Sequence, residues 1–170
     1  NGVAISPNGN IVVVGTVTGN ADMNGDGDST DGGAESSTGY GGFDAYVTVF
    51  NSSGTWQWAK RLGSSDQDRG YAVSVDGSNN ISVVGLVIGN ADMNGDADST
   101  DGGAESSSGY SDEDAYVTVF NSTGTWQWAK RLGGTGFDVF YGIGADSSNK
   151  ISVAGYIIGD GDVNGDGDRT

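Results

Sequence analysis

The chain of 170 residues carries 23 acidic against 7 basic residues, no histidine and no cysteine, for a formal net charge of −16. That charge repels nucleic-acid phosphates and anionic membrane surfaces. The missing residue types exclude disulfides, thiol nucleophiles, Ser-His-Asp triads and the usual zinc or haem ligands. No apolar run approaches the roughly eighteen residues of a membrane-spanning helix, and no signal peptide is visible. The abrupt start at Asn1-Gly2-Val3 and the end at Thr170, within an acidic stretch, predict a piece of a longer protein.

In chain order, residues 3–6 read as a short strand and Pro7-Asn8-Gly9 as a turn. Residues 11–18 form a second strand, apolar on both faces. An acidic loop rich in Gly and Ser covers 19–43, followed by strands at 44–50 and 55–62. The layout recurs at an offset of 70 residues: strands at 71–76, 81–88, 114–120 and 125–132, with the acidic loop at 89–113. A third copy supplies strands at 141–146 and 151–158. No segment has a helical apolar period, so the expectation is an all-β chain of tandem four-stranded antiparallel sheets. Its units are 1–62, 63–132 and a partial 133–170.

Four strands joined by short turns, followed by four more, are the blade pattern of a β-propeller. Stacked blades explain strands that are apolar on both sides, such as Tyr116-Val117-Thr118-Val119-Phe120. A unit of 70 residues exceeds the ~40–50 of a common blade, and the acidic loop accounts for the excess. A closed ring takes roughly 4–8 blades, more than this stretch holds. The remaining blades then come from the same chain or from other copies, or the blades stack openly into a fibre.

The acidic loops centre on Asp22-Met23-Asn24-Gly25-Asp26-Gly27-Asp28, repeated as Asp92-Met93-Asn94-Gly95-Asp96-Ala97-Asp98 and as Asp162-Val163-Asn164-Gly165-Asp166-Gly167-Asp168. Oxygen side chains at alternate positions, with turn glycines between, suit a hard divalent cation. The expected Ca²⁺ ligands are Asp22, Asn24, Asp26, Asp28 and Asp31 in the first loop, with Glu35 as another closing residue. Asp92, Asn94, Asp96, Asp98, Asp101 and Glu105 are their counterparts, and the third loop offers Asp162, Asn164, Asp166 and Asp168. The pattern is similar to the first half of EF-hand and dockerin loops, but their twelfth-position acid is Gly33 or Gly103 here. Ala97 replaces a turn glycine, which predicts a weaker second site. The competing reading is a solvated acidic linker.

Outside the loops, Trp126-Gln-Trp-Ala-Lys-Arg-Leu-Gly133, Asp138 with Tyr141-Gly142, Ile151-Ser-Val-Ala-Gly155 and Asp114-Ala-Tyr-Val117 resemble the bacterial SBBP β-propeller repeat. The resemblance covers essentially the whole chain apart from the acidic loops. It implies a secreted or cell-surface repeat protein and no known catalytic residues. The acidic loop replaces a short connection of that family, so nothing about its role carries over.

The pairs Trp56/Trp58 and Trp126/Trp128 have period-two spacing and place both rings on one strand face. Packing between neighbouring units is favoured over a sugar platform. Asp44/Asp114, Asp68/Asp138 and Asp76/Asp146 lie beside strand ends, where carboxylates cap turn N–H groups. Nothing singles out a carboxylate pair for glycoside hydrolysis. Asn51 and Asn121 sit in sequons within hairpin turns, as weak glycan acceptors; Asn80 begins a third sequon.

These readings favour a non-enzymatic structural or adhesive module, outside the cell or on its surface. Its acidic loops bind Ca²⁺ and stiffen the array, as in a fibre subunit. Its partners would be copies of itself, further blades of the same chain, or surface glycans, with no nucleic acid and no membrane insertion. The alternative is a lectin-like propeller; a glycosidase or lyase propeller ranks below it.

Overall fold

The structure is a computed structural model that describes every residue except 108, 109, 111, 112, 167, 169 and 170. Parts of the units expected at 63–132 and 133–170 therefore lie outside the described residues. The described chain is all-β and antiparallel. Strands β1 (Gly2–Ile5), β2 (Ile11–Val17), β3 (Asp44–Phe50) and β4 (Trp56–Leu62) form one four-stranded sheet in sequence order. Strands β5 (Arg69–Val75), β6 (Ile81–Ile88), β7 (Glu113–Phe120) and β8 (Trp126–Leu132) form a second. Strands β9 (Val139–Ala145) and β10 (Ile151–Tyr156) pair into a third, two-stranded sheet.

The register repeats with the sequence. Gly15 faces Tyr46 and Val47 faces Lys60 in the first sheet, while Gly85 faces Tyr116 and Val117 faces Lys130 in the second. Gly15 is required where it stands, since an added Cβ would come within 2.8 Å of the Tyr46 ring. The β3–β4 turn closes on Asn51, whose side-chain oxygen accepts the N–H groups of Ser53 and Thr55 at 3.0 and 2.9 Å.

The sheets pack face to face. Val12, Val14, Val47 and Val49 of the first meet Val73, Ile81, Val83, Tyr116 and Phe120 of the second in one core. Val84, Ala115, Val117, Val119 and Phe140 make a smaller core between the second sheet and β9. Each fully buried aliphatic side chain contributes about 1.5–3 kcal/mol. Because the second sheet is covered on both faces, β6 is buried continuously from Ile81 to Val87, whereas β10 is largely exposed. The strands apolar on both sides are thus explained by their place in the stack.

The acidic loops contain one feature without a sequence signal, a single 3₁₀ turn at Gly33–Glu35 and again at Gly103–Glu105. Gly32 and Gly33 enter it with φ of 83° and 57°, the left-handed region that glycine tolerates. Ala97 adopts the same region (φ 71°) as Gly27 (φ 92°), at a steric cost of roughly 1–2 kcal/mol.

Candidate functional site: the acidic loops and the joint between sheets

Each acidic loop is wound by its own side chains. The Asp22 carboxylate accepts the N–H groups of Gly25 and Gly27, which holds its pKa below the usual value. Asn24 Oδ1 then accepts from Asp26 N–H at 2.8 Å, and Asp26 Oδ1 from Asp28 N–H at 2.9 Å. Asp28 Oδ1 accepts from the Thr30 hydroxyl and N–H at 2.7 and 2.9 Å, and the hydroxyl bond above all keeps its pKa low. This staircase requires an oxygen-bearing side chain at every second position.

The second loop repeats the pattern. Asp92 accepts from Asn94, Gly95 and Ala97 N–H, Asp96 from Asp98 N–H, and Asp98 from Thr100. In the third loop Asp162 accepts from Asn164 and Gly165 N–H, Asn164 Oδ1 from Asp166 N–H, and Asp166 from Asp168 N–H. Gly167 of that loop lies outside the described residues.

Glutamate closes the first two loops from inside. Glu35 is 5% exposed, and its Oε1 accepts the N–H groups of Met23 and Asn24 at 3.0 and 3.2 Å. Glu105, also 5% exposed, accepts from Met93 N–H at 3.1 Å. In both residues the second oxygen, Oε2, is buried with no hydrogen-bond partner among the described residues. Burial raises the Glu105 pKa to about 7, helped by the charges of Asp92, Asp101 and Asp96. Asp31 is pushed up chiefly by the charge of Asp26.

The Asn24 amide donates to Asp26 at 3.2 Å and to Asp31 at 3.4 Å. Asn94 donates to Asp101 at 3.2 Å, and its own Oδ1 is buried without a partner. Among the described residues no three carboxylates meet at one point. The Asn24 amide stands between Asp26 and Asp31 instead. Asp22, Asp92 and Asp162 brace the backbone of their loops, and Asn24, Asp26, Asp28, Asp96, Asp98, Asn164 and Asp166 accept the N–H groups that follow them.

Asp92 also joins two sheets. Its backbone pairs with Gly63 in both directions, at 2.9 and 2.7 Å, and its Oδ2 accepts from the Tyr40 hydroxyl at 2.6 Å. Lys60 donates to the Gly95 carbonyl at 2.8 Å. The third loop meets the second sheet identically, with Asp162 on Gly133 and Tyr110, and Gly165 on Lys130. Burial raises the Asp92 pKa, whereas the exposed Asp22, on the outer side of the first sheet, shows a lowered one.

Arg61 anchors the first loop to its own sheet. It donates from Nη1 to Asp44 at 3.0 Å, from Nε to Ala34 O at 3.1 Å and from Nη2 to Gly19 O at 2.7 Å. Burial nonetheless raises the Asp44 pKa, with the guanidinium pulling against it. Tyr40, Lys60 and Arg61 were not singled out from the sequence. The available signal was two cations and a tyrosine repeated at fixed distance from each acidic loop in a strongly acidic chain.

Trp58 packs between sheets, its ring centroid 6.0 Å from that of Phe120 and its indole N–H donating to Ser122 O at 3.1 Å. Trp56, Trp126 and Trp128 are partly exposed. Asp68 accepts from Ser64 and Ile88 N–H, Asp138 from Gly134 and Ile158, Asp76 from Ser78 and Asn80, and Asp146 from Ser148 and Lys150. Asp114 lies 3.7 Å from Arg131. Asn51 and Asn121 sit in the tight β3–β4 and β7–β8 turns. No protein-family model matches the chain, and no curated protein matches it.

Proposed function

We propose that the chain is a stretch of a tandem array of β-propeller-type blades, of the kind the SBBP resemblance implies, acting as a structural or adhesive module at the cell surface or outside the cell. Its acidic loops bind Ca²⁺, and the bound cation stiffens the joint between successive blades. The observation that carries this reading is the pair Glu35 and Glu105, each 95% buried beneath an acidic loop with one carboxylate oxygen lacking a partner among the described residues. A buried, unsatisfied charged oxygen is costly. A bound divalent cation would supply the positive charge missing from these loops. Asn24, Asp26, Asp31 and Glu35 would hold it in the first loop, and Asn94, Asp96, Asp101 and Glu105 in the second. Asp92 and Gly95, in the segment that would wrap the cation, carry the contacts to Gly63, Tyr40 and Lys60 of the preceding sheet. Ordering that loop therefore orders the joint.

The test compares thermal unfolding and limited proteolysis in millimolar CaCl₂ and in chelator, for the native chain and for Glu105→Gln. Calcium at a hundred times its dissociation constant should stabilise by about 2.7 kcal/mol. Cleavage within residues 20–39 and 90–109 should appear only in chelator, and Glu105→Gln should lose the protection of the second loop alone. Equal melting and equal cleavage in both buffers would overturn the assignment.

A further inference from the structure

The two full repeats are the same through most of the acidic loop, through β3, β4 and their counterparts, and at most positions of β2, but they diverge at two groups of positions. Within 2–9 and 72–79, the first strand and its turn, only Val3 and Val73 are the same. A second group is more revealing. Gly41-Gly42-Phe43 becomes Ser111-Asp112-Glu113, and Ser64-Ser-Asp-Gln-Asp-Arg-Gly70 becomes Gly134-Thr-Gly-Phe-Asp-Val-Phe140. Asn1, Thr16 and Thr18 become Tyr71, Leu86 and Ile88.

Far apart in sequence, residues of this second group converge in space. Asn1, Thr16, Phe43, Arg69 and Tyr71 line a cavity of about 420 Å³. Asp66, Gln67, Glu113 and Phe137 line another of about 280 Å³, again with Arg69 and Tyr71. The two cavities share a wall and make one face, to which the acidic group of the loops contributes nothing. Scaffold positions repeat because each unit must stack on the next. Side chains that differ between units and gather around a cavity instead suit a site that recognises something.

The lining states the chemistry. The Arg69 guanidinium lies 5.4 Å from the Phe43 ring centroid, and its Nη2 donates to Gln67 Oε1 at 3.2 Å. Tyr71 packs against Tyr141 at 5.1 Å between ring centroids, Tyr141 against Tyr156 at 6.1 Å, and Tyr156 against Phe137 at 5.7 Å, a row of mutually tilted rings in which Tyr141 is 52% exposed. Aromatic faces thus adjoin carboxamide, carboxylate and guanidinium groups. Asp66 and Glu113 flank the one guanidinium, and the chain's net charge of −16 disfavours an anionic ligand. A ligand with an apolar C–H face for the rings and uncharged hydroxyls for the rim satisfies both conditions. We propose that this face binds a neutral oligosaccharide. The site is independent of the cation loops, so either assignment can fail without the other.

The test is calorimetric and NMR titration of the chain with neutral hexasaccharides (β-1,4-glucan, α-1,4-glucan, β-1,4-mannan and chitohexaose), with oligogalacturonate and oligolysine as charged probes. Binding by at least one neutral hexasaccharide is expected, with shifts concentrated at Arg69, Tyr71 and Phe137. Phe43→Glu, Gln67→Phe and Arg69→Val each install the residue that the second repeat carries at the same place. Combined, they should weaken that binding at least tenfold, while Gln57→Ala, at an exposed position of β4, leaves it unchanged. Shift mapping on the unaltered chain keeps the test decisive if the combined variant folds poorly. Absence of neutral-glycan binding, preference for either charged probe, or shifts centred on Trp56 and Trp126 would overturn the proposal.

Discussion

Replacing Arg61 by Met removes a guanidinium whose side chain, like that of its partner Asp44, is 0% exposed. The bonds to Asp44, Ala34 O and Gly19 O go with it. Asp44 is left as a buried carboxylate without its counter-ion, a loss that typically costs about 3–5 kcal/mol. For a chain of this length that corresponds to roughly 6–20 °C in melting temperature. Arg131, the same residue one repeat on, offers an internal control. It stands 3.7 Å from Asp114, and among the described residues its Nε and Nη1 have no hydrogen-bond partner. Its replacement likewise strips a fully buried carboxylate of its counter-ion, so a cost of the same size, about 3–5 kcal/mol, is expected. Urea and thermal unfolding, followed by circular dichroism and tryptophan fluorescence, would measure both variants. Adding Asp44→Leu to Arg61→Met should recover most of the loss, because no unpaired buried charge remains. A cost below about 1 kcal/mol for Arg61→Met, or no recovery in the double variant, would refute the assignment of Arg61 as the anchor of the first loop.

Two further outcomes follow from single residues. Ala97→Gly should stabilise the chain by about 0.5–1 kcal/mol, since relief of the left-handed strain outweighs the added freedom of the unfolded glycine; an unchanged urea midpoint would show that this strain is absent. Burial lifts the Asp68 carboxyl from 3.8 to about 6, against the pull of donors from Ile88 and Ser64. The native state then holds more protons than the unfolded chain between about pH 4 and 6, so this group's contribution declines by about 3 kcal/mol as pH rises through that window. Asp68→Asn should remove that decline, and parallel stability profiles of the native chain and the variant over pH 4–7 would contradict it.

The joint between sheets is built the same way twice. Tyr40, in the loop before β3, and Lys60 of β4 hold the acidic loop of the next unit, and Tyr110 and Lys130 do the same one repeat later. Val3 and Ile5 are largely exposed and Asp22 lies at the surface, whereas Val73 and Asp92, one repeat on, are buried. Trp58 is seated against Phe120 and Ser122, while Trp128 is 41% exposed.

The 70-residue period, the alternating apolar strands, the Gly and Asn turns and the oxygen-rich loops are local properties of the chain. The sequence alone therefore determined an all-β architecture, its strand positions to within about two residues and the place of the acidic loops. It also located the capping role of Asp76 and Asp146, because a carboxylate beside a turn meets its own N–H groups. Asp44, expected to cap a turn as well, instead pairs with Arg61, and Asp68 and Asp138 also reach the N–H groups of Ile88 and Ile158, 20 residues further along the chain. Which sheet covers which, and hence that Trp58 packs against Phe120, depends on neighbours far along the chain. The same holds for Tyr40 reaching Asp92, for Arg61 holding the Gly19 and Ala34 carbonyls, and for Asn1, Phe43, Arg69 and Tyr71 meeting at one cavity. Within the acidic loops, alternate carboxylates look equivalent in sequence. Only the folded chain separates Asp92, spent on backbone N–H groups and Tyr40, from Glu105, buried with an oxygen still unsatisfied, because burial and long-range hydrogen bonding are properties of the packed structure.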